Sequence, residues 1–123
     1  MALQEHTPFD RIYLTANLVD ISTASSAFVA CPVRGKIVKA WSVIYAAISA
    51  ADAIWTLEIN NTAVTGVSVT VANSGSAAGD VDEGLPTSLS TSQVLPGDRI
   101  EFVSDGASST AAAATFTVAI DVY

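Results

Sequence analysis

The chain is poor in the residues that do chemistry. Its 123 residues include one cysteine, Cys31, and one histidine, His6. A single cysteine excludes an intrachain disulfide framework and a multi-cysteine zinc site. A Cys/His nucleophile pair would need those two side chains to meet, with a third group orienting the base. His6 lies in a terminal segment without periodicity, so no such pair is expected. Charge is also scarce, at 14% of residues against roughly 25% in an ordinary soluble domain. Only five residues are basic (Arg11, Arg34, Lys36, Lys39 and Arg99) against 12 acids, for a net charge of −7. Phosphate backbones need several converging cations, so no nucleic-acid partner is expected. Long apolar runs are missing too. The most apolar stretch, IYAAISAADAIW, is broken by Asp52 and is too short to cross a bilayer, so no membrane partner is expected. The opening MALQEHTPFD has acids and a proline where a secretory signal would need a basic start and an apolar run.

What is present is apolar and alternating. A chain this short has room for one domain and one core, and 50% hydrophobic residues rule out a disordered chain. With so few charges, the surface must be mostly Ser, Thr and Ala, or much of it must be buried against other subunits. Period-two alternation marks half-buried antiparallel strands. In AIWTLEIN, Trp55, Leu57 and Ile59 oppose Thr56, Glu58 and Asn60. In VSVTVA, Val67, Val69 and Val71 share a face, as do Ile100 and Phe102 in RIEFVS. In TFTVAIDVY, Phe116, Val118, Ile120 and Val122 oppose Thr115, Thr117 and Asp121. Cys31 alternates with Val29 and Val33 and reads as a small core residue.

The stretch KIVKAWSVIYAAI is apolar on both faces. Ile37, Trp41, Val43 and Tyr45 make one face, which reads as the core side; Val38, Ala40, Ile44 and Ala46 make the other. Its β-branched content and the turn before it favour a strand over a helix. The second face needs cover, which predicts Val38, Ala40 and Ile44 as contacts with a neighbouring subunit. Turn chemistry punctuates the pattern: Arg34-Gly35, Pro96-Gly97 in the central positions a type II turn prefers, and Asp105-Gly106 as a tight-turn pair. About eight short strands without a convincing helix predict an all-β, single-domain antiparallel β-sandwich, jelly-roll-like.

Candidate chemical sites are few. SGSAAGDVDEGLP gathers Asp80, Asp82 and Glu83 between glycines. A calcium loop needs oxygen ligands at five or six positions and a closing glutamate. LPTSLS, which follows, supplies no carboxylate, so the stretch reads as a solvated turn; a weak cation shared with Asp52 or Asp105 is the alternative. Glu58 and Glu101 point to the polar faces of their strands and would make a glycosidase pair only if brought together. Gly66, Gly75 and Gly79 form no phosphate-binding signature. Trp41 and Trp55 read as core, with a sugar-stacking platform as the alternative. The residues therefore point to no enzyme, no cofactor and no metal site.

Residues 1–11 lack alternation and contain Pro8, and are read as an N-terminal arm before a sandwich of residues 12–123. Leu3 and Phe9 are apolar residues that an idle tail rarely needs, and Arg11 is one of few cations. The arm is expected to order on contact, with Leu3 and Phe9 docking on a neighbouring subunit or on a larger assembly and Arg11 pairing with an acid there. The alternative is a frayed end whose Phe9 caps its own sandwich.

The Gly-x-Ile start at Gly35, the hairpin INNTAVTG, the loop SGSAAGDV and the turns of PGDRIEF and DGAS resemble small structural proteins of tailed bacteriophages, the head decoration or cement class. The resemblance spans about residues 28 to 121. It implies a compact β-sandwich or jelly roll that forms a homotrimer, binds the major capsid protein and sits on the outer capsid surface of the virion. Related folds serve as receptor- or carbohydrate-binding head domains of phage fibres, which is the alternative implied.

Overall fold

The computed structural model describes residues 10–123. Nine strands and one helical turn follow in the order β1 (Arg11–Leu18), β2 (Ala24–Ala30), β3 (Gly35–Ile44), β4 (Ala53–Ile59), β5 (Thr62–Val71), β6 (Val81–Gly84), α1 (Leu89–Ser92), β7 (Gln93–Val94), β8 (Arg99–Asp105) and β9 (Ala114–Val122). They form two antiparallel sheets. Sheet A runs β1-β9-β3-β6, with β7 pairing the start of β3, and sheet B runs β2-β8-β4-β5. The all-β sandwich expected from the alternation is the observed architecture.

The sandwich interior takes one face of every long strand. Trp55, Leu57, Ile100 and Phe102 come from sheet B, and Ala40, Ile44, Phe116, Val118 and Ile120 from sheet A. The Trp55 ring meets Phe116 edge-on at 5.1 Å and Phe102 at 6.1 Å, while Phe102 and Phe116 stack at 4.8 Å. Aromatic contacts of this kind contribute about 0.5–1.5 kcal/mol each beyond the area they bury. Cys31 is buried, as its alternation implied.

Turns do two kinds of work here. Asn60 and Asn61 both adopt positive φ (48° and 71°) in the two-residue link between β4 and β5, the geometry that matches the twist of a hairpin. Gly97 has φ +91°, and the Asp98 amide donates to the Leu95 carbonyl at 3.0 Å, as a type II turn requires. Arg34-Gly35 and Asp105-Gly106 instead carry the chain from one sheet to the other. A Cβ on Gly35 would lie 2.2 Å from the Asp121 carbonyl oxygen, so only glycine lets β3 close on β9.

One irregularity decides the face assignment of β3. Ile37 pairs with Ile120 and Lys39 with Ala119, leaving Val38 as an extra, bulged residue. A bulge shifts the alternation by one. Before it Ile37 points inward; after it Ala40, Ser42 and Ile44 point inward, and Lys39, Trp41 and Val43 point outward.

Candidate interaction surface

The bulge corrects two of the three subunit contacts predicted on β3. Ala40 and Ile44 are buried in the core of their own sandwich. Val38 is half-buried and lines a shallow cleft with Pro86 and Leu89 of the same chain. The apolar residues left on the outer face of β3 are Trp41 and Val43, and Trp41 is not core. Trp55 is, and its Nε1 donates to Ser42 Oγ at 3.0 Å.

Trp41 belongs to a cluster on the outer face of sheet A. Register places Tyr13 of β1, Ala119 of β9 and Lys39 of β3 in one row, with Thr15, Thr117, Trp41 and Glu83 in the next. The Tyr13 and Trp41 rings lie 6.5 Å apart, tilted by 44°. Ala119 beneath them is fully buried although it lies outside the sandwich core. Lys39 Nζ sits 5.2 Å from the Trp41 ring centroid and 3.2 Å from Glu83 Oε2. Tyr13 is 59% exposed, Val81 59% and Tyr45 62%. Tyr45 Oη shares a 2.8 Å hydrogen bond with Thr115 Oγ1, which donates in turn to Asn17 Oδ1. The face therefore offers aromatic and apolar surface bordered by hydroxyls and by two ion pairs, Lys39 with Glu83 and Arg11 with Asp121, the composition found at protein contacts and sugar-stacking sites.

The acidic stretch divides between a turn and a strand. The chain turns through Gly75 and Gly79, and the Asp80 carboxylate accepts from the Ala77 amide at 2.9 Å. Val81 to Gly84 then form β6 at the edge of sheet A, which alternation over four residues was too short to announce. Glu83 faces outward to Lys39, whereas Asp82 sits opposite Ser42 on the inward side. Burial, and then the neighbouring Asp80 charge, push the Asp82 carboxyl above the usual carboxylate range. Asp52 accepts from the Asn73 amide and Asp105 from the Ile54 and Ala107 amides. No three His, Cys, Asp or Glu among the described residues group to hold a metal ion. Glu58 and Glu101 stand opposite each other on β4 and β8; Glu101 accepts from Ser26 Oγ at 2.6 Å and lies 3.8 Å from Arg99.

Arg11 is the first residue of β1, and its acid belongs to its own chain. Its guanidinium donates to Asp121 through Nε at 2.6 Å and Nη2 at 3.2 Å. This corrects the expected pairing with a neighbour and shortens the arm. That hydrogen bond holds the Asp121 carboxyl below the usual range, against the opposing effect of burial. Leu3, Phe9 and His6 lie outside the described residues.

No protein-family model matches the chain, and no curated protein does. Among solved structures, the fold is similar to that of a chain in the cyanophage Pam1 capsid asymmetric unit. The match has a TM-score of 0.60 and 17% identity, and covers 100% of this chain and 93% of that one. A second similarity is to the catalytic unit of a thermostable GH87 α-1,3-glucanase from Streptomyces thermodiastaticus strain HF3-3, with a TM-score of 0.48 and 14% identity, covering 94% of this chain but 26% of that one.

Proposed function

We propose that this chain is a non-enzymatic structural protein of a tailed-phage virion, which decorates the outer surface of the head as a homotrimer and bridges major capsid subunits. The observation that carries this reading is the end-to-end likeness in fold to a chain of a phage capsid asymmetric unit. Because almost all of that chain is covered, the likeness is to a whole small chain rather than to one domain of a larger subunit. The strand order also supports reading the sandwich as a jelly roll: β1, β3, β6 and β9 of one sheet interleave along the chain with β2, the β4–β5 hairpin and β8 of the other.

The outer face of sheet A supplies the contact. Tyr13, Trp41, Val43 and Val81 replace Ala40 and Ile44 as the surface that a neighbouring subunit covers, and Leu3 and Phe9 of the arm dock on a neighbouring subunit or the capsid. Closed cyclic symmetry satisfies such a face without building fibres, and many weak contacts across a shell sum to high avidity. Electron cryomicroscopy of purified virions tests the reading: protrusions of this fold on the head are expected. Finding the chain only on the tail overturns it.

A second reading is favoured by the outward-facing Tyr13 and Trp41 rings: a trimeric receptor- or carbohydrate-binding head domain of a phage fibre, with a glycan stacked on those rings. Glycan-array binding that disappears in Trp41→Ala while the fold persists would select it.

A further inference from the structure

Arg34 is an exposed cation with no carboxylate within ion-pair distance among the described residues, in a chain whose acids outnumber its bases by 12 to five. Arg11, Lys39 and Arg99 each have an acid within reach, at 2.6, 3.2 and 3.8 Å. Arg34 opens instead on a cleft of about 470 Å³ at one end of the sandwich, walled by Ser90, Gln93, Leu95, Asp98 and Tyr123. We propose that this cleft binds a carboxylate, carried by an acidic residue of a partner protein whose adjoining apolar side chain lies against Leu95.

The guanidinium is held ready. Its carbon sits 5.6 Å from the centroid of the Tyr123 ring, and the Tyr123 amide donates to the Arg34 carbonyl at 3.2 Å. A guanidinium stacked on an aromatic ring keeps its in-plane N–H groups free for a forked contact with a carboxylate. Gln93 Nε2 donates to Tyr123 Oη at 3.2 Å, so the phenolic hydrogen remains available to a ligand. The one acid in the wall is already engaged. Asp98 Oδ1 accepts from Asn60 Nδ2 at 2.9 Å, and Oδ2 accepts from the Leu95 amide at 2.8 Å. The cleft thus presents donors beside an acidic side chain that is engaged in closing its own turn.

The size and the apolar wall select the source of the carboxylate. A volume of about 470 Å³ falls within the range of about 300–1,000 Å³ usual for ligand sites, more than a lone acetate fills. Leu95, 57% exposed, gains only from a ligand with an apolar part. A net charge of −7 repels multiply charged anions at long range, which disfavours phosphate. This inference stands apart from the virion reading, because it concerns binding to the isolated chain.

Heteronuclear NMR on the full chain tests it, following the Arg34 Nε–H and Gln93 side-chain amide signals. Titration with N-acetyl-Leu-Glu-amide should shift both saturably, with a Kd of about 1 mM or tighter. Sodium acetate should bind at least about tenfold more weakly, and sodium chloride at equal ionic strength should not saturate. Arg34→Gln should abolish the Gln93 shift and Tyr123→Phe, which keeps the ring, should weaken binding several-fold; an unmoved Trp55 indole signal confirms that each variant is folded. Shifts that track ionic strength alone, or persist in Arg34→Gln, overturn the proposal. Acetate binding as tightly as the peptide overturns the protein-borne ligand, and inorganic phosphate binding more tightly overturns the carboxylate.

Discussion

The indole N–H of Trp55 in sheet B donates to the hydroxyl of Ser42 in sheet A, at 3.0 Å and out of contact with solvent. It is a polar link through the interior between the two sheets. Ser42→Ala leaves the indole donor without its partner, at a cost of about 1–3 kcal/mol. The thermal midpoint should fall by about 4 °C for each kcal/mol lost in a domain of this size. Adding Trp55→Phe removes the orphaned donor, so the double variant should lose less than the two single losses combined. Denaturant unfolding of all four proteins measures this, and strict additivity would show that the bond contributes nothing.

Trp41 and Trp55 should respond oppositely to truncation. Trp55→Ala empties the centre of the core and should cost about 3–5 kcal/mol. Trp41→Ala removes an outer-face ring, and the folded monomer should lose no more than about 1 kcal/mol. If the outer face of sheet A is the subunit contact, light scattering at micromolar concentration should find a trimer for the wild type and smaller species for Trp41→Ala and Tyr13→Ala. A wild-type monomer would contradict the assignment.

The extra residue Val38 makes a deletion informative. Removing it joins Ile37 to Lys39, whose partners Ile120 and Ala119 are already consecutive on β9. The shortened strand then alternates regularly, so the variant should fold, at a loss of no more than about 2 kcal/mol. Deleting Val43 instead turns Ile44 out of the core and should abolish cooperative unfolding. Near-ultraviolet circular dichroism and thermal melts separate the two outcomes.

Acid should expose two opposite effects. Asp121 is held low by its hydrogen bond from Arg11, and Asp20 by its bond from Ser22. Their contribution to stability is fully present above the ordinary carboxylate value of about 3.9 and is lost as pH falls through their lower native values. Arg11→Gln should therefore lower the midpoint at pH 7, by an amount that shrinks progressively as pH falls below about 3.9. Asp82 is raised, first by burial and then by Asp80, so its ionised form is the penalised one. Asp82→Asn should raise the midpoint by about 1–3 °C at pH 7, a gain kept small by the solvent it still meets. No gain should appear at pH 3. Melts across this range provide the check.

The sandwich was readable from the chain because most strands keep strict alternation and the Asn60-Asn61 and Pro96-Gly97 turns have one dominant geometry each. The candidate surface was hidden by Val38. Reading straight through β3 put Trp41 in the core and Ala40 and Ile44 outside, and Lys39, in phase with Ile37, was the sign that one face could not run unbroken. Tyr13 escaped notice because its significance depends on β1 and β3 flanking β9, a long-range relation with no local signature. Arg34 looked like turn chemistry, since the cleft it opens on is built from Ser90, Gln93, Asp98 and Tyr123, far from it in sequence. The four residues of β6 carried too little periodicity to distinguish them from the turn before them.

β9 lies between β1 and β3 in sheet A, and this placement governs the order of assembly. Until the last strand arrives, β1 has no partner in its own sheet and β3 holds only β6 and β7. The pairing of Arg11 with Asp121 closes a separation of 110 residues, and contacts so distant in sequence must overcome most of the chain entropy before they return any stabilisation. Such a topology folds in milliseconds to seconds rather than microseconds. A chain truncated before residue 114 should therefore populate no half-built sandwich, only an open sheet with exposed strands that invite aggregation.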